Sequence, residues 1–132
     1  MRLKTEKQQS VSADVETVWN IVTGRTDRGF IGALPPGLAA GDCWSIRPED
    51  SVSCVLEDFE ELRTFSISFE SRIYLGVWKV ALESGKEGGT EVFLSAGVFV
   101  KNVDPFSAAN AFLKVQKFQE AYLAALKAAA EE

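Results

Sequence analysis

From Gly76 to Val100 the chain reads GVWKVALESGKEGGTEVFLSAGVFV. At period two, Trp78, Val80 and Leu82 share one face, and beyond the glycine-rich turn so do Val92, Leu94, Ala96, Val98 and Val100. Such alternation predicts strands with one buried face. The same signature recurs in CWSIR from Cys43, VSCVLED from Val52, RTFSISFES from Arg63, YLGVWKVALE from Tyr74 and TEVFLSAGVFVK from Thr90. All are rich in β-branched or aromatic residues. They are separated by PEDS at 48–51, DFEE at 58–61 and SGKEGG at 84–89, and connections this short imply antiparallel neighbours. The clearest alternation sets Arg63, Phe65, Ile67 and Phe69 against Thr64, Ser66, Ser68 and Glu70, an apolar face against a hydrated one. RLKTEKQQS, from Arg2, alternates weakly and predicts a first strand polar enough for a sheet edge.

Two segments change period. In VSADVETVWNIVTG, Val15, Val18, Trp19 and Val22 form one helical stripe, Ser12 fits an N-cap, Asp14 and Glu16 suit the first turn, and Gly24 stops the run. From Pro105 the pattern is helical again: Ala111, Val115, Phe118, Tyr122, Ala125 and Leu126 make a stripe flanked by Phe112 and Leu123, with Asp104 as a cap. Lys114, Lys117, Glu120 and Lys127 fall largely off that stripe. A helix of ~25 residues is nearly 40 Å long and crosses a whole sheet. Between these segments, 24–41 carries Gly29, Gly32, Gly37, Gly41 and Pro35-Pro36, with room for one helical turn near Thr26–Ala33. It is long for a connector, and a role as a lid is open.

An antiparallel sheet with one apolar face must cover it, and the last helix is the largest apolar cover in the chain. The expectation is a single α+β domain over 1–132. In it a curved antiparallel sheet wraps around a long C-terminal helix, with one or two short helices after the first strand.

Three stretches resemble a known family. VSADVETVWNIV looks like the signature opening the first helix of the START-type helix-grip superfamily (SRPBCC). GVWKVALESGKEGGTEVFL is similar to a hairpin commonest in its polyketide cyclase/dehydrase branch, and the closing helix ending AYLAALKAAAEE also fits. The resemblance implies a hydrophobic cavity between sheet and last helix, walled in part by Trp78, Val80, Leu94 and Ala96. It also implies functions that range from binding lipids, sterols, hormones or polyketides, through catalysis in a few members, to activation of a chaperone ATPase.

Composition narrows the chemistry. The chain has 132 residues, 46% hydrophobic and 25% charged, with a formal charge of −5 that opposes a nucleic-acid partner. No run approaches the ~20 apolar residues of a membrane span, and MRLKTEKQQS lacks a secretory apolar core, so a cytoplasmic location is expected. Cys43 and Cys54 read as structural thiols. There is no histidine, which removes Ser-His and Cys-His pairs, an imidazole base and His metal sites. Phosphate-cradling glycine motifs are absent as well, and no metal or other cofactor is expected. Glu57, Asp58, Glu60 and Glu61 read as solvated turn acids.

The leading expectation is a non-enzymatic protein that holds a small apolar or amphipathic molecule, such as a lipid, between sheet and helix. The candidate lining residues are Trp19, Arg63, Phe65, Phe69, Tyr74, Trp78, Leu94, Phe112, Phe118 and Tyr122. Arg63 shares the parity of Phe65 and could clamp a ligand carboxylate, or else reach water from a strand end. Trp19, Trp44 and Phe112 read as core ahead of ligand-stacking groups, and bulky Phe65, Phe69, Trp78 and Phe118 could fill the space themselves. The first alternative is a cyclase/dehydrase-like enzyme using Arg63, Tyr74 and Tyr122. The second is a protein-interaction module of the chaperone-activator type, with Phe93 and Phe99 on the outer face. A monomer or a homodimer fits each reading.

Overall fold

The computed structural model describes residues 2–23, 43–46, 52–70, 74–100 and 105–131. Its elements run β1 (Arg2–Val11), α1 (Val15–Val22), β2 (Cys43–Ile46), β3 (Val52–Glu60), β4 (Thr64–Glu70), β5 (Tyr74–Ser84), β6 (Thr90–Val100) and α2 (Pro105–Ala130). The six strands form one antiparallel sheet in the order β1-β6-β5-β4-β3-β2. Only β1 breaks chain order, pairing with the last strand. The expected α+β arrangement is present. The segment 24–41, with its expected helical turn and lid, and the cap Asp104 lie outside the described residues.

Register explains the two faces. Phe65 pairs with Val80, which pairs with Leu94; Ile67 pairs with Trp78, which pairs with Ala96, which pairs with Thr5. These residues line the inner face, where Phe65, Val80, Leu94 and Ala96 are buried. Along β3 the register shifts between Leu56 and Asp58: Leu56 pairs with Ile67, and Phe59 with Phe65. The bulge changes strand parity, so Leu56 and Phe59 both turn inward while Glu57 and Asp58 are exposed. Outside, Glu57 accepts a hydrogen bond from Ser68 at 2.6 Å and Asp58 one from Ser66 at 3.1 Å. The acids therefore belong to a bulged strand. The turn is Glu61–Arg63, one residue pair later than the sequence reading placed it.

Helix α1 is capped by Asp14 rather than by Ser12. The Asp14 carboxylate accepts from the Thr17 N–H at 2.8 Å, and hydrogen bonds from the Thr17 side chain and backbone hold its pKa below the ordinary value. The Ser12 N–H instead donates to the Glu131 carboxylate at 2.8 Å, which leaves Ser12 as part of a corner. At the same corner Thr90 donates to the Ala13 carbonyl at 2.7 Å. The end of α2, the start of β6 and the β1–α1 link thus meet at one place. Val18, Trp19, Ile21 and Val22 carry the buried face of α1, and Trp19 stands edge-on to Phe59 at 5.4 Å and to Phe65 at 5.9 Å.

The stripe on α2 differs from the expected one. Gln119, Tyr122, Leu123, Leu126 and Ala130 are buried, while Phe118 is 48% exposed and Ala125 is exposed. The inward face is rotated about one position from the hydrophobic reading, because an amide occupies a place that an apolar count assigned to a neighbouring Phe.

Candidate functional site

The region of interest is the packed interface between the inner sheet face and α2. Helix α2 packs on β1, α1 and β6. Its course is fixed by Lys7, whose Nζ lies 3.4 Å from Glu120, and by Lys127, whose Nζ lies 3.4 Å from the Ser10 carbonyl. Seven helical residues rise ~10.5 Å and three strand residues ~10 Å, so the helix runs parallel to β1 and keeps step with it. Lys127 also pairs with Glu131 at 2.9 Å, and the Lys127 and Ser12 contacts hold the Glu131 carboxyl below its ordinary pKa.

The structure separates the ten candidate residues. Phe65, Leu94 and Tyr122 are buried on facing layers, and Phe69 and Trp78 are half-buried beside them. Trp78 is edge-on to Phe118 at 5.3 Å and to Tyr122 at 5.4 Å, so these three rings form a cluster whose Phe118 reaches solvent. Trp19 is wholly enclosed by Phe59 and Phe65 on the α1 side. Tyr74 begins β5 and Phe112 lies in α2, but their side chains lie outside the described residues.

Arg63 is a correction. It sits in the β3–β4 turn with its side chain 78% exposed, 3.9 Å from Glu60, and lines an open groove with Leu62 and Glu83. Strand parity does not extend into a turn, and the guanidinium keeps its hydration by remaining outside. It therefore stays outside the buried layer that holds Tyr122.

Sequence reasoning missed Gln119. This side chain is fully buried, and neither its amide nitrogen nor its amide oxygen has a hydrogen-bond partner among the described residues. The hydroxyl of Thr5, 6% exposed on the inner side of β1, is in the same condition. Nearby Tyr122 is 4% exposed, and burial pushes its phenol pKa upward, so it stays a neutral hydroxyl. The available signal was a polar residue at i−3 from Tyr122 and i−7 from Leu126, the helical spacing of a buried face. The site can therefore offer neutral hydrogen-bonding groups beside aromatic surface. Among the described residues no group of His, Cys, Asp or Glu is placed to hold a metal ion.

No protein-family model matches the sequence, and no curated protein matches it. Solved structures do. Protein BH1534 of Bacillus halodurans superposes with a TM-score of 0.75 at 17% identity, over 98% of this chain and 99% of that one. The chain has the helix-grip fold, an antiparallel sheet with a long C-terminal helix. Another helix-grip neighbour is CalU16 of Micromonospora echinospora, with a TM-score of 0.72 and 20% identity over 96% of this chain and 65% of that one. The Aha1 dimer of Colwellia psychrerythraea gives 0.67 and 16% over 98% and 96%. At these identities the helix-grip likeness is one of fold. No helix among the described residues is long and apolar enough to cross a membrane.

Proposed function

We propose that the protein binds a small amphipathic molecule between the inner sheet face and α2, without transforming it. One observation carries this reading: Gln119, a fully buried amide on the face that α2 turns to the sheet, has no protein partner among the described residues for either polar atom. Leaving a buried donor or acceptor unpaired costs about 1–3 kcal/mol, so such a group is understandable where a bound molecule completes it. The half-open ring cluster of Trp78, Phe118 and Tyr122 supplies apolar surface for the rest of that molecule. A lipid-like ligand and a cytoplasmic setting accord with this chemistry. The enzyme reading loses support because Arg63 stands apart from Tyr122.

The test is native mass spectrometry of freshly purified protein against its denatured mass. An excess mass that disappears on denaturation is the expected result. No excess mass, together with no melting shift across a set of amphipathic compounds, overturns the reading.

A second reading, a protein-interaction module, rests on the outer sheet face. There Leu75, Val77 and Phe99 are 41%, 45% and 40% exposed, and Leu75 pairs directly with Phe99. Phe93, the other expected outer residue, is half-buried. Loss of partner capture in a Val77→Ser, Phe99→Ser double variant would favour this reading.

A further inference from the structure

The amide of Gln119 presents a donor and an acceptor side by side, and a partner matching both must present an acceptor and a donor in the same relation. Because Gln119 lies one residue before Glu120, it stands near the level of Lys7 along β1. Helical side chains lean toward the N-terminus of their helix. That direction carries the Gln119 amide toward the level of Thr5, whose hydroxyl also has no partner among the described residues and faces the same inner layer through its pairing with Ala96.

Charge decides between the groups that could answer. An ionised carboxylate needs a compensating cation in a buried site. Lys7, at the same level of β1, is 31% exposed at its side chain and is engaged with Glu120. Tyr122 is held neutral by its burial. The polar end of the site is thus a neutral, two-way hydrogen-bonding surface, set against the edge-to-face rings of Trp78, Phe118 and Tyr122.

We infer that Gln119 is the specificity-determining residue of the site, selecting amphipathic ligands that carry a neutral carboxamide or lactam next to a flat apolar body. The inference rests on the binding reading above and adds the class of polar group. The probes are naphthalene-2-carboxamide, which has both donor and acceptor, and 2-ethylnaphthalene, which has the same ring system and neither. Binding is read by tryptophan fluorescence on the wild type and on Gln119→Leu.

In the wild type the carboxamide binds about tenfold more tightly than the hydrocarbon, the effect of one to two well-made hydrogen bonds. In Gln119→Leu the preference disappears while 2-ethylnaphthalene binds at least as well. The ligand-free variant melts higher than the wild type, since Leu fills a similar volume without an unpaired amide. Equal affinity of both probes for the wild type overturns the amide selectivity and leaves the binding reading standing. A preference that persists in Gln119→Leu, or a lowered melting temperature of the ligand-free variant, overturns the role of Gln119. Failure of both probes to bind overturns the site itself, and the inference with it.

Discussion

Gly76 occupies the inner face of β5 directly opposite Phe69. A Cβ there would stand 2.8 Å from the Phe69 ring and would collide with the Gly97 carbonyl. The missing side chain is what lets that ring lie across the strand. Gly76→Ala is expected to lower stability by about 1–3 kcal/mol, the usual scale of overpacking. Gly97 pairs with Val77 on the other side of the sheet, where an added Cβ meets nothing within 4 Å. Gly97→Ala should therefore stabilise the strand by about 0.5–1 kcal/mol through lost chain entropy in the unfolded state. Urea titration of both variants checks the pair; equal effects would contradict the face assignment. Residue-scale reading of the sequence had opposite success at three other positions. The inward direction of Phe65 and Leu94 was legible because strand parity dictates it. Arg63 was not, because a hairpin turn interrupts the parity two residues earlier.

Among the elements, α1 shows how a cap is chosen by its surroundings. Ser12 and Asp14 both suit an N-cap by residue type, and the Asp14 carboxylate, which accepts from the Thr17 N–H, is the cap, while the Ser12 N–H donates to Glu131. The Thr17 hydrogen bonds depress the Asp14 pKa in the folded state. Its contribution is therefore present above the unfolded carboxylate range and is lost as pH falls through the folded value. Asp14→Ala should lower the melting temperature by a few degrees near neutrality. The gap from wild type should close in acid, once the pH has fallen through the lowered folded value and the cap of the wild type is protonated as well. A gap that persists unchanged in acid would argue that the loss is not one of charge. Helix α2 offers the complementary lesson. Its existence and length follow from sequence periodicity, but its inward face does not, since Phe118 outranks Gln119 in any hydrophobic scale. Helix rotation is set by packing against β1 and by the Lys7–Glu120 and Lys127–Ser10 contacts, which link residues more than a hundred positions apart.

Across the whole molecule, the two ends of the chain are joined through Glu131. Its carboxylate accepts from the Ser12 N–H and from Lys127, and these contacts hold its pKa low. Since the folded pKa is depressed, this fastening also operates above the ordinary carboxylate range and is released as pH falls through the folded value. Glu131→Gln is expected to accelerate amide exchange at Ser12 and in the last turn of α2 at neutral pH, leaving the centre of β5 unaffected. Uniform acceleration across the sheet would instead mean that the corner governs global unfolding. Glu91 adds to the same acid response. It accepts from Ser10 and Gln8 on the outer face, and these bonds keep its carboxyl below its ordinary pKa.

By itself, the sequence determined the six strands, both helices, the antiparallel pairing, the apolar inner face and the kind of cover that face required. These follow from periods of two and 3.6 and from turn residues, which are local properties. The tertiary structure decided which residues meet. It placed the β3 bulge that turns Leu56 and Phe59 inward together, assigned the cap of α1, left Arg63 outside, and rotated α2 until a glutamine faced the sheet. The rotation of α2 depends on contacts between distant segments, and no local pattern encodes those. The candidate site is of this second kind, because an amide becomes an unpaired buried group only once a sheet and a helix have closed over it.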